Sequence, residues 1–127
     1  AWLTIDDTRM IIAVDVVDRR ERRVLMTWRA DLDDGVVHAG RDPTHQLVGP
    51  LGDDAVRIEA TTPAAVAAQT AAWFATQLRR GIDRYEWDEP ATRCWVDVGS
   101  GAVLVSLRDG HPPLTTAARV VRVAGVG

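Results

Sequence analysis

Residues 62–81, TPAAVAAQTAAWFATQLRRG, decide the fold, because they carry the clearest local signals in this 127-residue sequence. Thr62 is a typical N-cap residue. Pro63 suits the first helical position, because an N–H at that position makes no hydrogen bond within the helix. Arg79 and Arg80 favour the negative C-terminal end of a helix, and Gly81 is typical of the residue that stops one. We therefore predict one main helix over about residues 62–81.

The buried side of this helix is predicted from the spacing of its apolar residues. Ala67, Ala71, Phe74 and Leu78 recur at intervals that bring them onto one side of a helix. We expect this stripe to pack on the rest of the fold. Trp73 lies about 100° further round the helix and falls outside the stripe.

Two segments before the helix alternate in polarity as strands do. Residues 10–17 and 23–30 predict a hairpin with its tip at residues 19–21. Its core face would carry Met10, Ile12, Val14, Val16, Val24, Met26 and Trp28. The opposite face, with Arg29, is mixed and only partly covered. Shorter strands are predicted at residues 2–5, 36–39 and 56–58, with a long polar loop over residues 40–54.

The sequence after the helix predicts two further hairpins and an edge strand. A loop at residues 88–91 pairs Trp87 with Thr92, and a tight turn at residues 100–101 pairs Cys94 with Leu107. Residues 119–123 predict a final edge strand. The expected fold is α+β, a single domain over residues 1–127 with a curved antiparallel sheet of hairpins packed on one main helix.

Composition excludes several classes of function. The 15 basic residues are all arginine, so chemistry that needs a lysine amine, such as Schiff-base formation, cannot operate. The net charge of −3 argues against a general nucleic-acid binder, whose affinity depends on neutralising phosphates. No apolar run approaches the roughly 20 residues of a membrane helix, so we expect no membrane partner.

The same composition suggests an origin and a compartment. The absence of lysine and asparagine, with frequent Ala, Val, Asp and Gly, indicates codon bias from a high-GC bacterial genome. Cys94 is the lone cysteine and cannot form an internal disulfide, which favours a reducing compartment. We therefore expect a cytoplasmic bacterial protein.

One polar loop carries the candidate ligand or acid–base residues His38, Arg41, Asp42 and His45. Imidazole and carboxylate can bind a metal or transfer protons. However, the spacing of His38 and His45 matches no zinc signature, and a polar surface loop is the simpler interpretation. We expect neither a metal nor another cofactor.

Two tryptophans lack a place in the predicted core and become candidates for a partner surface. Trp73 lies beside the helix stripe, and Trp95 alternates with polar residues on its strand, near Arg84 and Arg93. Exposed tryptophan is typical of interface hot spots. In the alternative, Arg84 or Arg93 stacks on Trp95 within one chain.

These patterns favour a small protein-binding module, of adaptor, chaperone-like or toxin-neutralising type, with a homodimer as its simplest form. The first alternative is a small-ligand-binding domain that uses the concave side of the sheet, with tryptophans lining the pocket. The second is an enzyme that acts through His38, Asp42 and His45.

Overall fold

The computed structural model describes residues 2–6, 9–44, 47 and 49–125, and for residues 2–6 it describes the backbone alone. Contacts divide the chain into two compact units. Unit 1 comprises Ala1–Val16 and Met26–Gln77, and unit 2 comprises Val17–Leu25 and Leu78–Gly127. The α+β class with one main helix is confirmed over the described residues, where the strands form two antiparallel sheets. The expectation of a single domain stays a prediction.

The first sheet contains the strands that precede the helix. Its order is β1-β2-β3-β4-β5, formed by β1 (Trp2–Asp6), β2 (Arg9–Asp18), β3 (Arg23–Asp33), β4 (Val36–Arg41) and β5 (Val56–Ile58). The predicted strands and the hairpin between β2 and β3 are confirmed, and the arginines at its tip are exposed. That tip is one residue longer than predicted, because Arg22 adopts a left-handed conformation with φ 52°.

The predicted core face of the first hairpin is only half right. Met26 and Trp28 are buried, but so are Thr27 and Arg29, which alternate with them, because β3 is covered on both faces. On β2 the alternation is the reverse of the prediction: Ile11 and Ala13 are buried, whereas Met10, Ile12 and Val14 are partly exposed. Met10 and Ile12 line an open cleft, which keeps them from being fully covered.

The helix α1 spans Pro63–Leu78, and its predicted start is confirmed by the hydrogen bond that the Ala65 N–H donates to Thr62 Oγ1 at 3.1 Å. The predicted stripe is wrong except at Phe74. Val66, Thr70 and Phe74 are buried, while Ala67, Ala71 and Leu78 are exposed. The burial of Val66 in place of Ala67 favours this orientation, since valine removes more apolar area from water than alanine does.

The second sheet belongs to unit 2 and has the order β8-β7-β6-β9. Its strands are β6 (Ile82–Asp88), β7 (Ala91–Asp97), β8 (Val103–Ser106) and β9 (Arg119–Ala124). The predicted pairing of Trp87 with Thr92 and the position of β9 at an edge are confirmed. A short 3-10 helix, Leu114–Thr116, packs beside Trp87 and Cys94 on one face of this sheet.

The predicted register of β8 is wrong. Cys94 pairs with Ser106 instead of Leu107, and Val96 pairs with Val103, with a bulge between the two pairs. Asp97 explains the change, because it accepts hydrogen bonds from the Ser100 N–H at 3.1 Å and Ser100 Oγ at 2.6 Å. These hydrogen bonds stabilise a loop over residues 98–102, which is longer than the two-residue turn predicted from the sequence.

Cys94 is buried, and its burial raises the pKa of the thiol. A thiol held in its neutral form is a poor nucleophile. None of the helices in the described part of the chain has the length and apolar character needed to cross a membrane.

Candidate functional site

The four polar loop residues do not form one cluster in the described structure. His38 is exposed on β4, where it pairs across the strands with Asp31 and Arg57. Arg41 is half-buried at the end of β4, and Asp42 is fully buried. His45 lies outside the described residues. Across the described ranges, no group of three histidine, cysteine or carboxylate side chains could hold a metal ion.

Asp42 holds the loop that follows β4. Its carboxylate accepts hydrogen bonds from the Thr44 N–H at 3.1 Å and from the Leu47 N–H at 3.0 Å. The Thr44 hydroxyl adds a third bond at 3.1 Å, and Arg29 lies 3.5 Å away. These partners explain why a carboxylate is buried here, since a buried charge needs pairing and hydrogen bonds.

Arg29 is a structural residue of unit 1 that the sequence pattern placed on a partly covered face. Its side chain is 3% exposed, and it forms two hydrogen bonds to Asp31, at 2.9 and 3.0 Å. It also donates to the carbonyl oxygen of Gly49 at 2.7 Å. Strand periodicity could not identify this role, because the partner Gly49 belongs to a loop twenty residues further along the chain.

Trp73 is half-buried and belongs to an aromatic cluster within unit 1. Its ring lies 5.8 Å from Trp28 in an edge-to-face arrangement and 5.0 Å from Phe74. Such pairs contribute about 0.5–1.5 kcal/mol beyond the burial of area. The prediction that Trp73 stands outside the core is therefore wrong for the part of the indole that contacts Trp28.

Trp95 and Arg84 are buried, so their predicted exposure on a partner surface is wrong. Trp95 is 0% exposed and Arg84 is 3% exposed. Both donate to one oxygen of Asp18: Arg84 Nη1 lies 2.6 Å and Trp95 Nε1 2.9 Å from Asp18 Oδ2. The end of the first hairpin, residues 17–25, belongs to unit 2, and its Asp18 carboxylate covers Trp95 and Arg84 on the second sheet.

The second oxygen of Asp18 shapes the hairpin tip itself. It accepts hydrogen bonds from the N–H groups of Arg20 at 3.1 Å and Glu21 at 3.2 Å. Glu21 in turn pairs with Arg93, whose Nη2 lies 2.9 Å from the carboxylate. The expected stacking of an arginine on Trp95 does occur, but the arginine is Arg23, 5.4 Å from the ring centre.

Three buried carboxyl groups determine how stability depends on acid: Asp18, Asp42 and Asp97. Burial by itself raises the pKa of each. The hydrogen bonds that each carboxylate accepts outweigh this effect of burial. Asp18 accepts from Trp95 and Arg84, Asp42 from Leu47 and Thr44, and Asp97 from Arg80 and Ser100. The pKa of each group in the folded chain is therefore lower than its ordinary value.

We expect these three carboxyl groups to contribute a constant amount to the free energy of unfolding above about pH 5, and that contribution to fall as the pH drops through 4 and below. In that range the unfolded carboxyl groups bind protons before the folded ones do, so acid favours unfolding. Urea denaturation at a series of pH values measures this slope. Asp97→Asn should make the slope shallower, and a slope identical to wild type would contradict the role of Asp97.

The edge of the second sheet at β9 is a further candidate for a partner surface. β9 pairs with β6 on one side and has no neighbour on the other within the described sheet. Val120 is 52% exposed and Val121 38% exposed, although they point to opposite faces. An exposed edge strand presents unpaired backbone groups to which another strand can bind.

Charged side chains usually protect such an edge, but the two arginines of β9 are engaged within their own chain. Arg119 Nη2 lies 2.7 Å from Asp88 Oδ1, and Arg122 pairs with Asp83. The hydrogen bond from Arg119 lowers the pKa of Asp88. The sequence placed this strand at an edge but gave no sign that its charges are neutralised.

No protein-family model matches the sequence, and neither a curated protein nor a solved structure shows significant similarity to it.

Proposed function

We propose that this chain is a small protein-binding module that associates through the open edge of β9, with a second copy of the chain as its partner. The observation that carries the proposal is an edge strand whose valines are exposed and whose arginines are already paired. In strand addition the main-chain hydrogen bonds supply affinity and alternate side chains supply specificity.

Symmetry limits how two copies of β9 can pair. If two copies of β9 pair as antiparallel strands of one continuous sheet, a two-fold axis normal to the sheet relates them. This axis leaves every side chain on the same face of the sheet, and directly opposite residues also share a face. One residue of β9 must therefore lie opposite the same residue of the second copy. Placing Arg122 opposite the second Arg122 is disfavoured, because like charges that face each other directly are destabilising. Placing Val121 opposite the second Val121 avoids this contact and pairs residues 119–123 of β9.

This register also suits the other side chains of the strand. Val120 then faces Arg122 of the second copy, and Arg119 faces its Val123. No arginine lies directly opposite an arginine, and the stem of each arginine can cover a valine. The strand is therefore self-complementary in one arrangement, which favours a homodimer over a partner of unrelated sequence.

Replacing Val121 by glutamate should weaken self-association about tenfold or more, because it places two carboxylates opposite each other and removes apolar contact. Sedimentation velocity over a range of concentrations gives the dissociation constant. The matched control is Val103→Glu, on edge strand β8 of the same sheet, since Val103 is 41% exposed and Val121 38% exposed. Circular dichroism checks that both variants fold.

A wild-type chain that remains monomeric at its highest soluble concentration would contradict the proposal. Equal weakening by the two substitutions would contradict the assignment to β9. A dimer weakened only by Val103→Glu would assign the contact to β8 instead.

The proposed setting is the cytoplasm of a high-GC bacterium. A buried, unpaired thiol at Cys94 suits a reducing compartment, and the absence of lysine and asparagine suits such a genome. Adaptor, chaperone-like or toxin-neutralising roles are all compatible with a module that works through a strand edge.

A further inference from the structure

A cleft with a volume of about 800 Å³ opens in unit 1, between α1 and the first sheet. One wall is formed by α1, with Ala67, Ala71 and Phe74, and the other by Met10, Ile12 and Leu32 of β2 and β3. The exposure of the two alanines, which the helix pattern placed in the core, follows from this opening. A cleft of this volume lies in the range of small-molecule sites, about 300–1,000 Å³.

The chemistry of the lining restricts what the cleft can hold. Most of the lining is methyl, methylene or aromatic surface. Among the described lining residues Asp34 carries the one charge, and Thr61 and Thr62 add hydroxyl groups beside the start of α1. Among the described residues none of the arginines lines the cleft, so an anionic group would meet the Asp34 carboxylate there without a described cation.

We infer that the cleft binds a small aliphatic molecule that carries an amine. The apolar body is favoured because its burial releases water from the alanine and phenylalanine surface. The amine is favoured because Asp34 is exposed at the turn between β3 and β4, where it can accept a hydrogen bond from a cationic head. The tryptophans expected to line a pocket do not border this cleft in the described residues.

Decylamine and decanoate test this chemistry, because they share an apolar tail and differ in the charge of the head group. Isothermal titration of each, below its micelle concentration at pH 7, should show saturable binding of decylamine. Binding of decanoate should be at least tenfold weaker. Asp34→Asn should reduce that preference severalfold, because it removes the charge but keeps the size of the side chain.

Ala71→Trp tests the location, since an indole at this exposed position fills the cleft. It should abolish decylamine binding. Ala72→Trp is the matched control: Ala72 is also exposed on α1 but is not part of the lining, so binding should persist. Circular dichroism confirms that both variants fold.

Three results would overturn the inference. They are no saturable binding of decylamine to the wild type, equal loss of binding in the two tryptophan variants, and decanoate bound as tightly as decylamine. If the apolar tail binds without any preference for the head group, the cleft is a general hydrophobic site and the role of Asp34 is wrong.

Discussion

Replacing Asp18 by alanine should lower the free energy of unfolding by about 3–5 kcal/mol, because it removes one partner of a buried ion pair. Among the described carboxylates, Arg84, whose side chain is 4% exposed, would keep only Glu86, 3.8 Å from its Nε. The buried Trp95 N–H would lose its acceptor, and the hairpin tip would lose the bonds from Arg20 and Glu21. Urea denaturation followed by tryptophan fluorescence measures the loss.

Asp109→Ala is the matched control, because Asp109 is exposed in the turn after β8 and its loss should change stability by less than about 0.5 kcal/mol. A second test separates the buried charge from the lost bonds. Adding Arg84→Met to Asp18→Ala should restore part of the stability, since the unpaired cation is then gone. If Asp18→Ala costs no more than the control, the network does not hold unit 2 together.

Replacing Phe74 by alanine should cost about 3–5 kcal/mol, the usual loss for a large aromatic side chain in a core. Phe74 is 9% exposed, and its ring lies 5.0 Å from that of Trp73. The substitution therefore removes apolar burial and an aromatic contact, and it widens the neighbouring cleft. The midpoint of urea unfolding should fall accordingly.

Leu78→Ala, on the same helix, distinguishes the observed orientation of α1 from the one predicted by spacing. Leu78 is 43% exposed, so its truncation should cost less than about 1 kcal/mol. In the predicted stripe Leu78 is a core residue, and its loss would cost about 2–5 kcal/mol. Equal, large losses at the two positions would show that the helix is rotated as the sequence suggested.

Local features of the fold could be predicted because the residues that cause them lie close together in the chain. Thr62 and Pro63 define the start of α1 through bonds within one turn. The hairpin between β6 and β7 follows from alternation on both sides of a short loop, and its pairing of Trp87 with Thr92 is as predicted.

The errors arise where a distant segment decides the outcome. Trp95 looks exposed because it alternates with Arg93 and Asp97, yet Asp18 from the first hairpin covers it. Alternation reports which side chains share a face, but it cannot report that a polar face is itself buried. For the candidate site, the sequence identified β9 as an edge and missed both the pairing of its arginines and the cleft beside α1.

The discontinuity of unit 2 has a consequence for its synthesis on the ribosome. Residues 17–25 emerge early, but Trp95 and Arg84, which bind Asp18, come 77 and 66 residues later. At about 5–20 residues per second, the hairpin tip waits for seconds with a face that has no partner. We expect its arginines, at positions 19, 20, 22 and 23, to keep that nascent tip hydrated until the second half of the chain arrives.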